Sequence, residues 1–126
     1  MLEPKKTKVL IVDDEPEILS SLGNILRRIN YETLTASTGA EAIKSVENEK
    51  PDLIILDVML PDMDGGDVAA AVERNPATAQ IPIIFVTGVI TKQEETKNLK
   101  SGKHYVLAKP VTVEDLQKTI LLALGK

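Results

Sequence analysis

The sequence predicts an α/β fold in which helices cover both faces of a mostly parallel β-sheet. Its strongest apolar runs are KVLIV at Lys8–Val12, LIIL at Leu53–Leu56 and IPIIFV at Ile81–Val86. These runs are β-branched-rich, bounded by Asp, Pro or Gly, and separated by segments with helical periodicity. Because the runs are continuously apolar, both of their faces are expected to be buried, as in a parallel sheet.

Two weaker strand candidates, Tyr31–Ala36 and His104–Ala108, complete a predicted set of five. The first helix is indicated by Pro16, which suits a first turn, and by an apolar stripe. The last helix is expected to begin at Thr112, which resembles a capping box with Asp115. The apolar positions of the first helix are Ile18, Leu19, Leu22, Ile25, Leu26 and Ile29. Those of the second helix are Ala40, Ile43 and Val46, and those of the third are Val68, Ala69 and Val72. The last helix has Leu116, Ile120, Ala123 and Leu124.

The fourth helix is predicted over Lys92–Gly102, with Gly102 as its stop signal. Its only clear apolar anchor is Leu99. Poorly anchored elements are candidates for mobility, and a solvated helix face explains the same pattern.

Composition narrows the classes of function. The 126 residues suit one domain, with 43% hydrophobic and 27% charged residues. A net charge of −4 and a basic run limited to Lys5, Lys6 and Lys8 argue against direct nucleic-acid binding. The absence of cysteine excludes disulfides, zinc thiolate sites and thiol catalysis. No apolar stretch reaches membrane-spanning length and no signal peptide is seen, so the expected location is the cytoplasm.

Charged and hydroxyl side chains follow four of the predicted strands. Asp13 and Asp14 follow the first strand, Asp57 ends the third, Thr87 ends the fourth and Lys109 follows the fifth. In parallel sheets, ligands bind beyond the carboxyl ends of the strands. These five residues are therefore expected to meet at one edge of the sheet.

Three carboxylates brought together there repel one another. The cost is roughly 4 kcal/mol per pair at about 4 Å and an effective dielectric constant near 20. Mg²⁺ would remove the conflict, because it prefers oxygen ligands. Lys109 adds a point charge and Thr87 a hydroxyl group, which are parts of a phosphoryl-transfer site. Taken singly, the acids could cap a helix or turn, Thr87 could be a turn residue and Lys109 a solvated lysine; their joint occurrence favours the site.

Four motifs together identify a resemblance. VLIVDDEPEI, ILDVMLPDMDGGDV, PIIFVTG and LAKP resemble, in order and spacing, the receiver domain of two-component response regulators, of the chemotaxis-Y-like kind. The resemblance spans the chain from Lys8 to the last helix. It implies a flavodoxin-like (βα)5 fold with five parallel strands in the order 2-1-3-4-5. It also implies one receiver domain over residues 1–126, with a core at about 8–124 and no output domain.

The resemblance assigns a role to each member of the predicted site. Asp57 corresponds to the phosphoacceptor, which takes a phosphoryl group from the phosphohistidine of a sensor histidine kinase or phosphotransfer protein. Asp13 and Asp14 correspond to the acidic pair that binds Mg²⁺, or Mn²⁺ as a substitute. Asp57 and the backbone carbonyl of Met59 complete the protein ligands.

The remaining roles concern the response to phosphorylation. Thr87 corresponds to the hydroxyl residue that hydrogen-bonds a phosphoryl oxygen, and Lys109 to the lysine that pairs with the phosphoryl group. The Lys109–Pro110 bond is expected to be cis. The implied function is a switch that changes partner binding, without independent turnover of a metabolite and with an output partner that the sequence does not indicate.

The chain departs from the family pattern at the end of the fifth strand. The family commonly has an aromatic residue three positions before the lysine, where this chain has Val106; Tyr105 stands one residue earlier. A shift of one residue along a strand reverses the face, so the usual aromatic–threonine coupling is predicted to be absent or altered. His104 is expected at the surface of this strand.

Two further segments are compared with the family. Glu94, Glu95 and Thr96 stand where the family usually has some small or apolar core residues, which adds to the case for a mobile fourth helix. Leu121 and Leu122 flank the stripe of the last helix, where core packing and a homodimer through the helix 4–strand 5–helix 5 face both remain open.

Other functional classes fit less well. A metal-dependent phosphohydrolase with an Asp nucleophile, of the haloacid dehalogenase type, carries a second Asp two residues later, where this chain has Met59. The segment DMDGGD fails as a calcium loop, because its fifth position is Gly66 and its sixth is Asp67. A flavodoxin-like cofactor module is disfavoured, because no hydroxyl- and glycine-rich phosphate loop follows the first strand.

Overall fold

The computed structural model describes residues 6–88, 100–101 and 104–125. Strands and helices alternate along most of this part of the chain. The elements are β1 (Lys8–Val12), α1 (Pro16–Arg28), β2 (Glu32–Ala36), α2 (Gly39–Glu49), β3 (Leu53–Asp57), α3 (Gly65–Arg74), β4 (Ile83–Thr87), β5 (Lys100–Ser101), β6 (His104–Ala108) and α4 (Val113–Ala123).

The central sheet has the predicted topology. Its five parallel strands lie in the order β2-β1-β3-β4-β6, which is the expected order 2-1-3-4-5 because β6 is the predicted fifth strand. A two-residue strand, β5, pairs antiparallel with β6 at the edge of the sheet. This strand supplies backbone partners to an edge that would otherwise present unpaired groups.

The helix predicted over Lys92–Gly102 is only partly covered by the structure. Residues 92–99 and 102, including Glu94, Glu95 and Thr96, lie outside the described residues. Lys100–Ser101 form β5, so the prediction that the helix continues through these two residues is wrong. Antiparallel pairing with Tyr105 and His104 sets their extended conformation, and helix stop signals do not reveal this contact.

Alternate residues of each strand face opposite sides of the sheet and form two apolar cores. One core joins α1 and α4 to the sheet and includes Leu26, Ile55 and Leu116. The other joins α2 and α3 to the sheet and includes Val46 and Val68. The helices therefore cover both faces, as the continuously apolar strands predict.

Helix starts follow their local sequences. Pro16 is the first residue of α1, and the Oγ1 atom of Thr112 accepts a hydrogen bond of 3.1 Å from the backbone N–H of Asp115, which confirms the predicted cap of α4. The N-cap of α1 is Glu15, whose side chain makes no capping bond. Asp13 and Asp14 are therefore not the N-cap of this helix.

The first turn of α3 lies directly behind the end of β3. The N–H of Gly65 donates to the carbonyl oxygen of Val58 at 2.7 Å. A Cβ atom at Gly65 would lie 2.8 Å from the carbonyl oxygen of Asp57 and 2.9 Å from the Cα of Val58. The close backbone approach therefore requires glycine.

One expectation about side-chain exposure is wrong, and one alternative that the sequence left open is narrowed. His104 is buried, with its Nε2 atom 2.8 Å from Glu73 Oε2 and its ring at 5.9 Å from that of Phe85 in an edge-to-face arrangement. The expected surface position is wrong because β6 places this residue between the sheet and α3. Leu121 and Leu122 remain 47% and 44% exposed, so neither is a core residue. In the described part of the chain, no helix is long and apolar enough to cross a membrane.

Candidate functional site

The ends of β1 and β3 bring two buried carboxylates together. Asp13 follows β1, where its N–H donates to the carbonyl oxygen of Ala36 on β2 at 3.1 Å. Asp57 is the last residue of β3. Asp13 and Asp57 are only 2% and 6% exposed, so each needs compensation for its lost hydration.

Lys109 supplies much of that compensation. Its Nζ atom lies 3.2 Å from Oδ2 of Asp13 and 3.2 Å from Oδ2 of Asp57. The remaining oxygens accept backbone hydrogen bonds: Asp13 Oδ1 from Glu15 at 2.9 Å and Asp57 Oδ1 from Met59 at 3.2 Å. Both carboxylates are thus held in fixed orientations.

The pKa values of Asp13 and Lys109 reflect the crowding of charge. Burial raises the pKa of Asp13, with a smaller contribution from the Asp57 charge, and the hydrogen bonds from Glu15 and Lys109 only partly oppose this rise. Burial acts to lower the pKa of Lys109, but hydrogen bonds and charge interactions with Asp13 and Asp57 outweigh it and raise the pKa. The protonated lysine therefore stabilises a site that has an excess of negative charge.

Three carboxylates are placed to share a cation. Asp13, Asp14 and Asp57 each offer an oxygen within 4.8 Å of the others, with Asp14 exposed to solvent. An all-oxygen donor set open on one side suits Mg²⁺, which keeps several waters. The backbone of Met59 adjoins this cluster through its hydrogen bond to Asp57. The donor chemistry of the residues present therefore fits the predicted metal.

Thr87 reaches the same edge of the sheet. It ends β4 and is 4% exposed. Its carbonyl oxygen accepts a hydrogen bond of 2.9 Å from the N–H of Lys109, and β4 pairs with β3 so that Asp57 lies opposite Val86. The Lys109–Pro110 peptide bond is cis, as expected. The structure thus gathers all five side-chain positions that the sequence singled out.

Tyr105 and Val106, which are consecutive residues of β6, point to opposite faces of the sheet. Tyr105 packs with the core between the sheet, α1 and α4, and its hydroxyl donates to the carbonyl oxygen of Leu122 at 3.2 Å. Val106 pairs with Phe85 on β4, two residues before Thr87, and so shares the face of Thr87. In this structure the tyrosine is not on the threonine face.

Glu15 and Asp62 make contacts that the sequence interpretation did not predict. Glu15 places its Oε1 atom 3.6 Å from Lys109 Nζ; its position beside the acidic pair was the available signal. Asp62 accepts hydrogen bonds from the first two residues of α2, Gly39 and Ala40. No local sequence pattern predicts the contact of Asp62, because its two partners are 23 and 22 positions away in the sequence.

Comparison with known families gives a match over nearly the whole chain. The family described as response regulator receiver domain matches residues 9–121. That range contains every residue that the structure gathers at the candidate site, from Asp13 to Lys109.

Individual relatives agree with this match. The alkaline phosphatase synthesis transcriptional regulatory protein PhoP of Bacillus subtilis is 36% identical over 113 residues, covering 90% of this chain and 46% of its own length. Protein PilH of Pseudomonas aeruginosa is 33% identical over 116 residues, covering 90% of this chain and 93% of its own. The solved structure of Vibrio cholerae chemotaxis protein CheY4 is 31% identical with a TM-score of 0.83, covering 95% of this chain and 100% of that one.

Proposed function

The chain belongs to the response regulator receiver domain family of two-component signalling, and from this premise we propose that Asp57 is its phosphoacceptor. The observation that carries the proposal is the pairing of Asp57 with Lys109 inside the acidic cluster. One carboxylate oxygen is held by Lys109 and the other by the Met59 amide. A nucleophile, a cation and metal-binding carboxylates are thereby assembled on one edge of the sheet.

The proposed reaction is a phosphoryl transfer to a carboxylate. An oxygen of Asp57 attacks phosphorus, the P–N bond to the donor histidine breaks, and an acyl phosphate forms while the imidazole nitrogen takes up a proton. Bound Mg²⁺, or Mn²⁺ in its place, supplies charge neutralisation of the transferring phosphoryl oxygens. Asp13, Asp14, Asp57 and the carbonyl of Met59 are the proposed protein ligands.

The proposed switch begins with the charge that phosphorylation adds. A phosphoryl group brings roughly −1.5 to −2 charge and three acceptor oxygens. We propose that Lys109 pairs with this group and that the hydroxyl of Thr87 donates to one of its oxygens. Both residues lie at the carboxyl ends of neighbouring strands, where a small movement alters the adjacent surface.

The alternative, a metal-dependent phosphohydrolase with an Asp nucleophile, lacks support in the residues. The position of its general acid is Met59, whose side chain has no ionisable group. The protein is accordingly assigned to signalling and not to metabolic catalysis. We propose that turnover is limited to its own phosphorylation and dephosphorylation.

Partners are proposed at the level of chemical class. The phosphodonor is a sensor histidine kinase or histidine phosphotransfer protein, and the proposed setting is the cytoplasm. The chain spans 46% of PhoP and 93% of PilH, so relatives include both longer proteins and proteins of similar length. A single receiver unit over residues 1–126 that acts through partner binding is our proposal for the sequence in hand, with the exposed Leu121 and Leu122 as a candidate homodimer contact.

The proposal is tested by incubating the protein with acetyl phosphate and Mg²⁺ and measuring its intact mass. One phosphoryl group is expected, and none in Asp57→Asn or without divalent metal. Asp67→Asn removes the same charge from an exposed position in the first turn of α3 and is expected to be phosphorylated like the parent. Incorporation that persists in Asp57→Asn would show that another residue is the nucleophile.

A further inference from the structure

Asp62 lies in the loop between β3 and α3, and its side chain is hydrogen-bonded to the first two residues of α2. Its Oδ1 atom accepts a hydrogen bond of 2.7 Å from the N–H of Gly39, and its Oδ2 atom accepts one of 3.0 Å from the N–H of Ala40. These amides belong to the first turn of the helix, where backbone donors lack partners within the helix. The two bonds lower the pKa of Asp62, so the residue is an anion at neutral pH.

A second contact from the same loop reinforces the first. A Cβ atom at Gly39 would lie 2.3 Å from Cγ of Met63 and 2.6 Å from its Sδ. The Met63 side chain thus fills the space left by the missing side chain of Gly39. Asp62 and Met63 therefore both contact the N-terminus of α2, Asp62 through hydrogen bonds and Met63 through packing.

The base of this loop is fixed to the strand that carries Asp57. Met59 and Asp64 form an isolated antiparallel bridge, and the N–H of Gly65 donates to the carbonyl oxygen of Val58. Met59 is 67% exposed, so its side chain contributes little packing that could hold its backbone. That backbone is held by its own N–H bond to Asp57 Oδ1 and by the bridge to Asp64, while the contacts of Asp62 and Met63 restrain the rest of the loop.

We propose that Asp62 is a positioning residue for the metal site, which holds the loop so that the backbone carbonyl of Met59 can serve as a metal ligand together with Asp13, Asp14 and Asp57. This inference rests on the proposed function. Asp62 itself touches none of the proposed ligands. Because Mg²⁺ demands near-ideal octahedral geometry, a loop that moves freely would present its carbonyl in the right place for only part of the time. Releasing the loop should therefore weaken metal binding while leaving the fold intact.

The test compares Mg²⁺ binding by the parent protein, Asp62→Ala and Asp62→Asn, using calorimetric titration with MgCl₂. Asp62→Ala is expected to bind roughly tenfold more weakly, at the lower end of the range for residues that support metal ligands. Asp62→Asn keeps one acceptor oxygen and should fall between the two. Asp67→Asn removes an equal charge from α3 without touching α2, and should bind like the parent.

Stability and NMR measurements separate positioning from a loss of structure. Thermal midpoints without metal are compared first, and Asp62→Asn, which preserves size, serves if Asp62→Ala is not folded. In the parent, added Mg²⁺ should shift the amide signals of Met59, Gly39 and Ala40 together; in the variants the α2 signals should lose that response. Equal Mg²⁺ affinity in the parent and both folded variants would overturn the inference. Failure of the parent to bind Mg²⁺ would instead overturn the proposed metal site, and this inference with it.

Discussion

Lys109 Nζ and Asp57 Oδ2 lie 3.2 Å apart, although the two residues are separated by 52 positions in the sequence. The same nitrogen contacts Asp13 at 3.2 Å and Glu15 at 3.6 Å. One cation thus faces three carboxylates of the β1 and β3 ends. Without metal, Lys109 neutralises part of the negative charge of these carboxylates. After phosphoryl transfer, the same lysine is the proposed partner of the phosphoryl group.

Replacing Lys109 should therefore destabilise the metal-free protein. We expect Lys109→Ala to lower the free energy of unfolding by about 1 to 3 kcal/mol, less than the cost of breaking a fully buried pair, because the lysine side chain is 23% exposed. Urea denaturation at low ionic strength measures the change. Added Mg²⁺ should restore part of the loss by neutralising the same carboxylates.

Lys118→Ala is the matched control for this experiment, because it removes an exposed lysine from α4. Its effect should stay within about 0.5 kcal/mol. A Lys109→Ala protein as stable as the parent without metal would contradict the role of Lys109 in balancing the charge of Asp13 and Asp57.

Gly65 and Gly66 offer a matched pair of substitutions at the start of α3. Gly65→Ala forces a Cβ into the backbone of Asp57 and Val58, and should cost about 1 to 3 kcal/mol through overpacking. Gly66→Ala meets nothing within 4 Å and should be neutral or stabilising, because alanine favours helix. Thermal unfolding of both variants provides the measurement; equal stabilities would contradict the close approach seen here.

Tyr105 should not report phosphorylation of Asp57. Its ring lies on the face of α1 and α4, and its hydroxyl is bonded to Leu122, whereas Thr87 is on the other face. In a Tyr31→Phe background Tyr105 is the only tyrosine, so its ring NMR signals can be followed unambiguously. Those signals should stay unchanged after treatment with acetyl phosphate and Mg²⁺.

Val106 lies on the face of Thr87, so its NMR signals can be compared with those of Tyr105 on the other face. Methyl signals of Val106 should respond to phosphorylation more than the Tyr105 ring does, because Val106 shares the face of Thr87. A structure of the phosphorylated protein with the Tyr105 ring packed beside Thr87 would refute the prediction that the usual aromatic–threonine coupling is absent or altered.

Glu41 should contribute to the free energy of unfolding at neutral pH, and this contribution should be lost at acid pH. Its Oε1 atom accepts hydrogen bonds from the N–H and the hydroxyl of Ser37, and these bonds lower the pKa of Glu41 below its ordinary value of 4.5. A depressed carboxyl pKa contributes stability that is fully present above the unfolded pKa and is lost as the pH falls through the folded pKa.

The difference in unfolding free energy between the parent and Glu41→Gln should therefore be constant above about pH 4.5 and shrink as the solution becomes more acidic. Chemical denaturation over this range measures it. Glu47→Gln removes the same charge from an exposed position on α2 away from Ser37 and serves as the control. A parent–Glu41→Gln difference that does not change with pH would contradict the contribution of the Ser37 bonds.

The sequence predicted the sheet because its information is local. Each buried strand is a short continuous apolar run, and a parallel sheet requires the residues after such runs to meet at one edge. The strand ends alone therefore predict that Asp13, Asp57 and Lys109 lie together. The start of α4 was also predicted from the sequence, because the capping residue Thr112 and its partner Asp115 lie within one helical turn.

Contacts between residues distant in sequence were decided by tertiary structure alone. Whether His104 is exposed depends on where Glu73 and Phe85 come to lie, and the short strand β5 exists through its pairing with β6. Asp62 acquires a role only when the start of α2 is brought beside its loop. Periodicity along one chain segment fixes which face is apolar, whereas the partner that meets a polar side chain is set by the packing of whole elements against one another.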